Sequence, residues 1–153
     1  PLIVMSPKSL LRHPKVVSPV SEFTKGSFKE LLPDTVTDPK KVKRVLLCSG
    51  KIFYELSQYR EENKRKDVAI IRIEQLYPFP DLQLDDELEK YPKAEYVWVQ
   101  EEPANMGYWW FVLSIYNKNL HIIARKRGSS PATGYHKQHE FEQKEIIETA
   151  FSI

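Results

Sequence analysis

Past Lys43 the chain alternates two hydrophobic rhythms. Four short apolar runs, Val45 to Cys48, Val68 to Ile73, Tyr96 to Val99 and Leu120 to Ala124, are partly β-branched and bounded by turn or charged residues. Runs of that length and composition are the signature of strands buried on both faces. Each is followed by apolar residues at helical spacing: Ile52, Leu56 and Tyr59; Leu84, Leu88 and Tyr91; Tyr108, Phe111, Val112 and Ile115; Ile146, Ile147, Ala150 and Phe151. A strand-helix order repeated in this way predicts an α/β fold, a three-layer architecture with a mostly parallel sheet, helices on both faces and right-handed crossovers.

The first 43 residues follow neither rhythm. Prolines at 7, 14, 19, 33 and 39 end or interrupt any helix begun there. Residues 1–43 are therefore an irregular Pro-rich connector, and 44–153 the α/β domain. Leu10 and Leu11 allow one helical turn before Pro14, while Phe23, Phe28, Leu31 and Leu32 are the expected anchors onto the domain. The opening Pro1-Leu2-Ile3-Val4-Met5 is apolar and strand-like, which suggests the last strand of something else and a fragment of a longer protein.

Composition narrows the function classes. At 153 residues the chain suits one core, burying roughly 70% of its unfolded surface without needing a metal or disulfide. The 23 Lys and Arg against 21 Asp and Glu fall in brief scattered clusters, not in the one-sided excess of a nucleic-acid footprint. No stretch approaches the roughly 20 apolar residues of a spanning helix, and no export signal opens the chain. Cys48 is the single cysteine and lies in an apolar run, so an internal disulfide is impossible and a reducing cytoplasm fits. A buried inert thiol is the expectation for it.

Candidate chemistry gathers in two loop signatures, QEEPANMGYWW from Gln100 to Trp110 and GSSPATGYHKQH from Gly128 to His139. Both follow a strand-like run, where an open α/β sheet forms its ligand crevice. Ser49-Gly50-Lys51 also opens a helix and is able to cradle an anion, but it matches neither the dinucleotide fingerprint nor the phosphate loop. An ordinary tight turn with Ser49 as N-cap is the simpler reading. Glu101 and Glu102 suit contact with another domain better than acid-base catalysis, which needs carboxyls of separated pKa in a pocket. Consecutive aromatics at Tyr108, Trp109, Trp110 and Phe111 cannot all face one core, so some point to an interface. His136 and His139 lack a third metal ligand, and Ser129 and Ser130 lack a nucleophile elbow.

Taken in order, PLIVMSPKSLLRHP, VLLCSGKIFYEL, RIEQLYPFP, QEEPANMGYWW and SPATGYHKQH resemble the C-terminal portion of the thiamine-diphosphate-dependent 2-oxoglutarate dehydrogenase family. The resemblance runs through essentially the whole chain and implies a transketolase C-terminal-domain-like fold, with the opening segment as the tail of the pyrimidine-binding domain. The activity implied is oxidative decarboxylation of 2-oxoglutarate and transfer of the succinyl group to a lipoyl group. It further implies thiamine diphosphate and Mg2+ held by upstream domains, the metal motif being a Gly-Asp-Gly that this chain lacks. Neither catalytic nor cofactor-binding residues are thus expected here. The implied partners are those upstream domains, a homodimer mate and the lipoyl-bearing succinyltransferase component, with no nucleic acid and no membrane. The implied compartment is bacterial cytoplasm, or the mitochondrial matrix in a eukaryote. An effector or anion site, as some relatives carry, would draw on Ser49, Lys51, Arg125, Lys126 and Arg127; an interface would draw on Glu101, Glu102, Asn105, Trp109 and Trp110. The rival readings are a stand-alone flavodoxin-like nucleotide- or anion-binding module and a small hydrolase or transferase.

Overall fold

In the computed structural model, which describes residues 1–116 and 118–153, the four expected strands form one parallel sheet with a fifth strand added at its edge. The strands are β1 (Leu31–Leu32), β2 (Arg44–Cys48), β3 (Val68–Ile73), β4 (Glu95–Pro103) and β5 (Leu120–Arg125). Their order is β1-β3-β2-β4-β5, with only β1 running antiparallel, against β3. The helices are α1 (Val20–Thr24), α2 (Ile52–Glu62), α3 (Asp81–Leu88), α4 (Trp109–Ile115) and α5 (His136–Phe151).

Period-two alternation within each strand divides the core into two layers. Val45, Leu47, Ala69, Ile71 and Trp98 point to one side and pack with Leu84, Leu88, Val112 and Tyr116 of and beside α3 and α4. Leu46, Cys48, Val68, Ile70, Val97 and Val99 point to the other and meet Ile52 and Leu56 of α2 and Ile146, Ile147, Ala150 and Phe151 of α5. Both faces of the sheet are therefore covered from within this chain, and the domain carries the core it needs to fold alone. This is the three-layer, mostly parallel α/β architecture of a transketolase C-terminal-like domain.

The connector departs from expectation in how it is held. Phe23 and Phe28 are 80% and 69% exposed, so they anchor nothing here. Leu31 and Leu32 are half-buried, and they do so as β1, in register with Ile73 and Arg72. A two-residue strand is too short to announce itself by alternation. The firmest anchor is polar: Asp34 Oδ2 accepts from Arg60 NH1 at 2.8 Å and Thr37 Oγ1 at 2.9 Å, and Asp34 Oδ1 accepts from the Val36 amide at 2.9 Å. Its carboxylate and the Arg60 side chain are almost wholly buried as a pair. Residues 8–10 do form the expected single turn, a 3-10 one. Pro1 to Met5 form no strand.

Candidate functional site

Strand order decides where a crevice opens. From β2 the chain crosses to β3 on one side and later returns to β4 on the other, so the carboxyl ends of β2 and β4 diverge at a topological switch point. A cleft of about 320 Å³ lies there, lined by Ser49, Gly50 and Lys51 after β2, by Trp98 to Glu102 on β4, and by Tyr108 and Pro7.

The floor of the cleft is locked by Gln100. This buried amide accepts from Trp98 Nε1 at 2.9 Å and from the Trp109 backbone N–H at 3.1 Å, both at Oε1. Its Nε2 donates to the carbonyls of Met106 at 2.7 Å and Pro103 at 3.2 Å. A single side chain thereby pins the whole turn from β4 into α4. Gly107, at φ +69°, completes the turn: a Cβ there would lie 2.9 Å from Gln100 Nε2, so both its backbone and its lack of a side chain are required. Asn105 ties this turn to the neighbouring loop by a reciprocal pair, Nδ2 to Gly128 O at 3.0 Å and Gly128 N to Oδ1 at 3.1 Å.

Charge at the cleft wall is internally matched. Lys51 pairs with Glu101 and lies 3.7 Å from Glu55. Gln143 of α5 donates to Glu55 and to Glu101, each at 3.0 Å, so α2, β4 and α5 share one polar knot. Ser49 does not cap α2; the N-cap position falls on Lys51 with no side-chain cap, because Gly50 at φ +75° turns the chain one step later than a serine cap would.

The other predicted residues lie apart from this knot. Arg125 is buried at the end of β5, 2.7 Å from His139 Nδ1 and 3.3 Å from Glu142, beside a second groove that Lys126 also lines. Arg127 is exposed and borders neither cleft. Ser49 and Lys51 are thus not brought into one pocket with Arg125, Lys126 and Arg127. Trp109 is buried in this chain's own core, while Trp110 stands 51% exposed. Asn105 is exposed, and Glu102 half-exposed at the cleft mouth. Among the described residues no cluster of three His, Cys, Asp or Glu is placed to hold a metal. His136 is on the surface, 3.4 Å from Glu140.

Gln100 to Pro103, expected in a loop, continue β4 past a register shift between Val99 and Pro103. Likewise His136 to His139 open α5 instead of closing a loop. The role of Gln100 has no signal in the sequence beyond that of a polar residue directly following an apolar strand. Cys48 is fully buried and its thiol is pushed up to about 12 by burial, so it is inert as expected.

A five-stranded, mostly parallel α/β domain with a crevice at its topological switch point defines the transketolase C-terminal-like class of fold. This chain belongs to the 2-oxoglutarate dehydrogenase C-terminal family, whose model matches residues 17–151. It is 46% identical to a 2-oxoglutarate dehydrogenase E1 component of Cupriavidus necator over 99% of this chain, and 47% identical to one of Haemophilus influenzae over 100% of this chain. A mitochondrial 2-oxoglutarate dehydrogenase of Caenorhabditis elegans is 44% identical, again over the full chain. The chain spans 17% of the two bacterial relatives and 16% of the nematode one.

Proposed function

We propose that this chain serves as the C-terminal domain of a 2-oxoglutarate dehydrogenase E1 component, supporting domain and dimer assembly while the chemistry proceeds elsewhere in the polypeptide. The carrying observation is identity of 44–47% across essentially the whole chain, with the relatives extending far beyond it. The parent reaction is oxidative decarboxylation of 2-oxoglutarate, with succinyl transfer to a lipoyl group on the succinyltransferase component. Residues 1–43 act as the connector and 44–153 as the supporting domain. The compartment follows the source: cytoplasm for a bacterial enzyme, matrix for a mitochondrial one.

Thiamine diphosphate and Mg2+ are the group's cofactors, and the residues here do not fit them. There is no Gly-Asp-Gly, and Glu101 at the crevice is consumed by Lys51 and Gln143. An anion-effector role is not part of this reading, because Lys51 is already paired and Lys126 lines a different groove. The flavodoxin-like alternative loses support on the same ground, since the turn after β2 offers one glycine and a lysine held by glutamate.

The test is direct. The chain alone should fold, show no turnover of 2-oxoglutarate, and gain no melting temperature from thiamine diphosphate with Mg2+. A ligand bound at a hundred times its Kd would add about 2.7 kcal/mol, readily visible as a thermal shift. Such a shift would sink the proposal.

A further inference from the structure

Away from the crevice, α2 and α5 lie side by side and run the same way, with Glu55 against Gln143 at one end and Tyr59 against Phe151 at the other. Between them is a groove of about 490 Å³, within the size range of small-molecule sites. Its floor carries Tyr59 and the buried Ile147, while Glu55 and Glu62 stand on the α2 wall and Glu140 and Glu148 on the α5 wall. Lys144, which also lines it, is an exposed side chain 3.6 Å from Glu148, and exposed pairs of that kind neutralise little. His139 lines it too, with its Nδ1 taken by Arg125. Glu62 accepts from the neutral amide of Gln58 at 2.8 Å and has no ion pair among the described residues. The groove is therefore negative.

An unsatisfied acceptor lies in the same groove. Gln143 is 7% exposed, its Nε2 is spent on Glu55 and Glu101, and its Oε1 has no donor among the described residues. The two carboxylates fix the amide's orientation, so that oxygen calls for an N–H from elsewhere. Spacing selects the ligand. Glu55 and Glu62 are seven residues apart and Glu140 and Glu148 eight, so carboxylates recur about 10–12 Å apart along each wall. That separation is too wide for one metal ion, and no three acidic or histidine side chains among the described residues are placed to hold one. It matches an elongated organic cation: three amines joined by a four-carbon and a three-carbon spacer reach roughly 11 Å when extended. We propose that the α2–α5 groove binds a linear polyamine of the spermidine type. Its terminal ammonium groups meet the carboxylates at the two ends, its methylenes cover Tyr59 and Ile147, and one ammonium donates to Gln143 Oε1.

Calorimetric titration of the chain with spermidine at about 0.15 M salt, where loose counterion attraction is screened, tests this. One saturable site is expected, with amide chemical-shift changes confined to α2 and α5. Replacing both Glu62→Gln and Glu148→Gln, which are exposed, should weaken binding about tenfold while leaving the melting temperature without ligand unchanged. Glu140→Gln alone, at the other end, should weaken it by a smaller factor. Butylamine, which has one ammonium, and Mg2+, which has no length, should each bind at least about tenfold more weakly than spermidine. Absence of saturation overturns the proposal. So does equal affinity for Mg2+ or for the double variant, because the groove would then attract any cation. Shift changes centred outside α2 and α5 overturn it as well. The assembly role proposed above stands or falls separately, since none of these readouts involves thiamine diphosphate or 2-oxoglutarate.

Discussion

Gln100 shows how much one buried amide governs. Its replacement by leucine leaves the Trp98 indole N–H and the Trp109 amide without their acceptor and the Met106 and Pro103 carbonyls without their donor. A buried polar group left unsatisfied costs about 1–3 kcal/mol, so Gln100→Leu should destabilise by at least that much in urea unfolding. Increased protease sensitivity near Met106 should accompany it. Cys48 gives a second outcome at this scale: a disulfide reagent at mildly alkaline pH should leave the folded chain untouched and titrate one thiol after denaturation. The sign of its linkage follows from its raised pKa. The stability it contributes is complete below the thiol's ordinary range and is lost as pH rises from there towards about 12. Tyr91, also pushed up to about 12 by burial and then by Glu87, adds to the same alkaline loss. Gln100 could be read from the sequence only as a polar residue beside a strand. Its partners lie between Trp98 and Trp109 and converge only where the chain turns from β4 into α4.

The carboxyl terminus of α5 owes its order to two arginines from distant strands and turns. Arg44 donates to the carbonyls of Thr149 and Ala150, each at 3.1 Å, and of Ser152 at 2.8 Å, while Glu95 holds its other edge at 2.7 Å. Arg65 donates to Phe151 O at 2.6 Å and pairs with Asp67. Guanidinium groups here complete the orphan carbonyls and oppose the negative end of the helix dipole. Arg44→Met should therefore cost roughly 2 kcal/mol and speed amide exchange in the last turn of α5 while sparing its centre. The same elements set the acid limit. Asp67 is held below the usual carboxylate range by its hydrogen bond from Arg65, and Asp85 by Lys118 and then Tyr116. Groups with lowered pKa stabilise above that range and cease to as pH falls through it. Asp67→Asn should accordingly flatten the fall of the urea midpoint below about pH 4.

For the whole molecule, the two core layers share the sheet between them, so damage to either is felt globally. Leu47 is fully buried in the layer under α3 and α4, and Leu47→Ala should cost about 2–5 kcal/mol in a single cooperative transition. Unfolding in two separate steps would show that the layers are not one unit. The crevice sits where they meet at the carboxyl ends of β2 and β4.

Hydrophobic rhythm by itself determined the four parallel strands, the helices between them and the division of the core, because side-chain periodicity is a local property of each segment. The ordered motifs likewise carried the family. Left to the tertiary structure were the things made by residues far apart in sequence: the Asp34–Arg60 anchor of the connector, the edge strand at Leu31–Leu32, the pairing of Lys51 with Glu101, and the burial of Trp109 while Trp110 remained outside. A charge or an indole has no intrinsic side to face. Its partner is chosen only when the strand order brings two distant segments to the same end of the sheet.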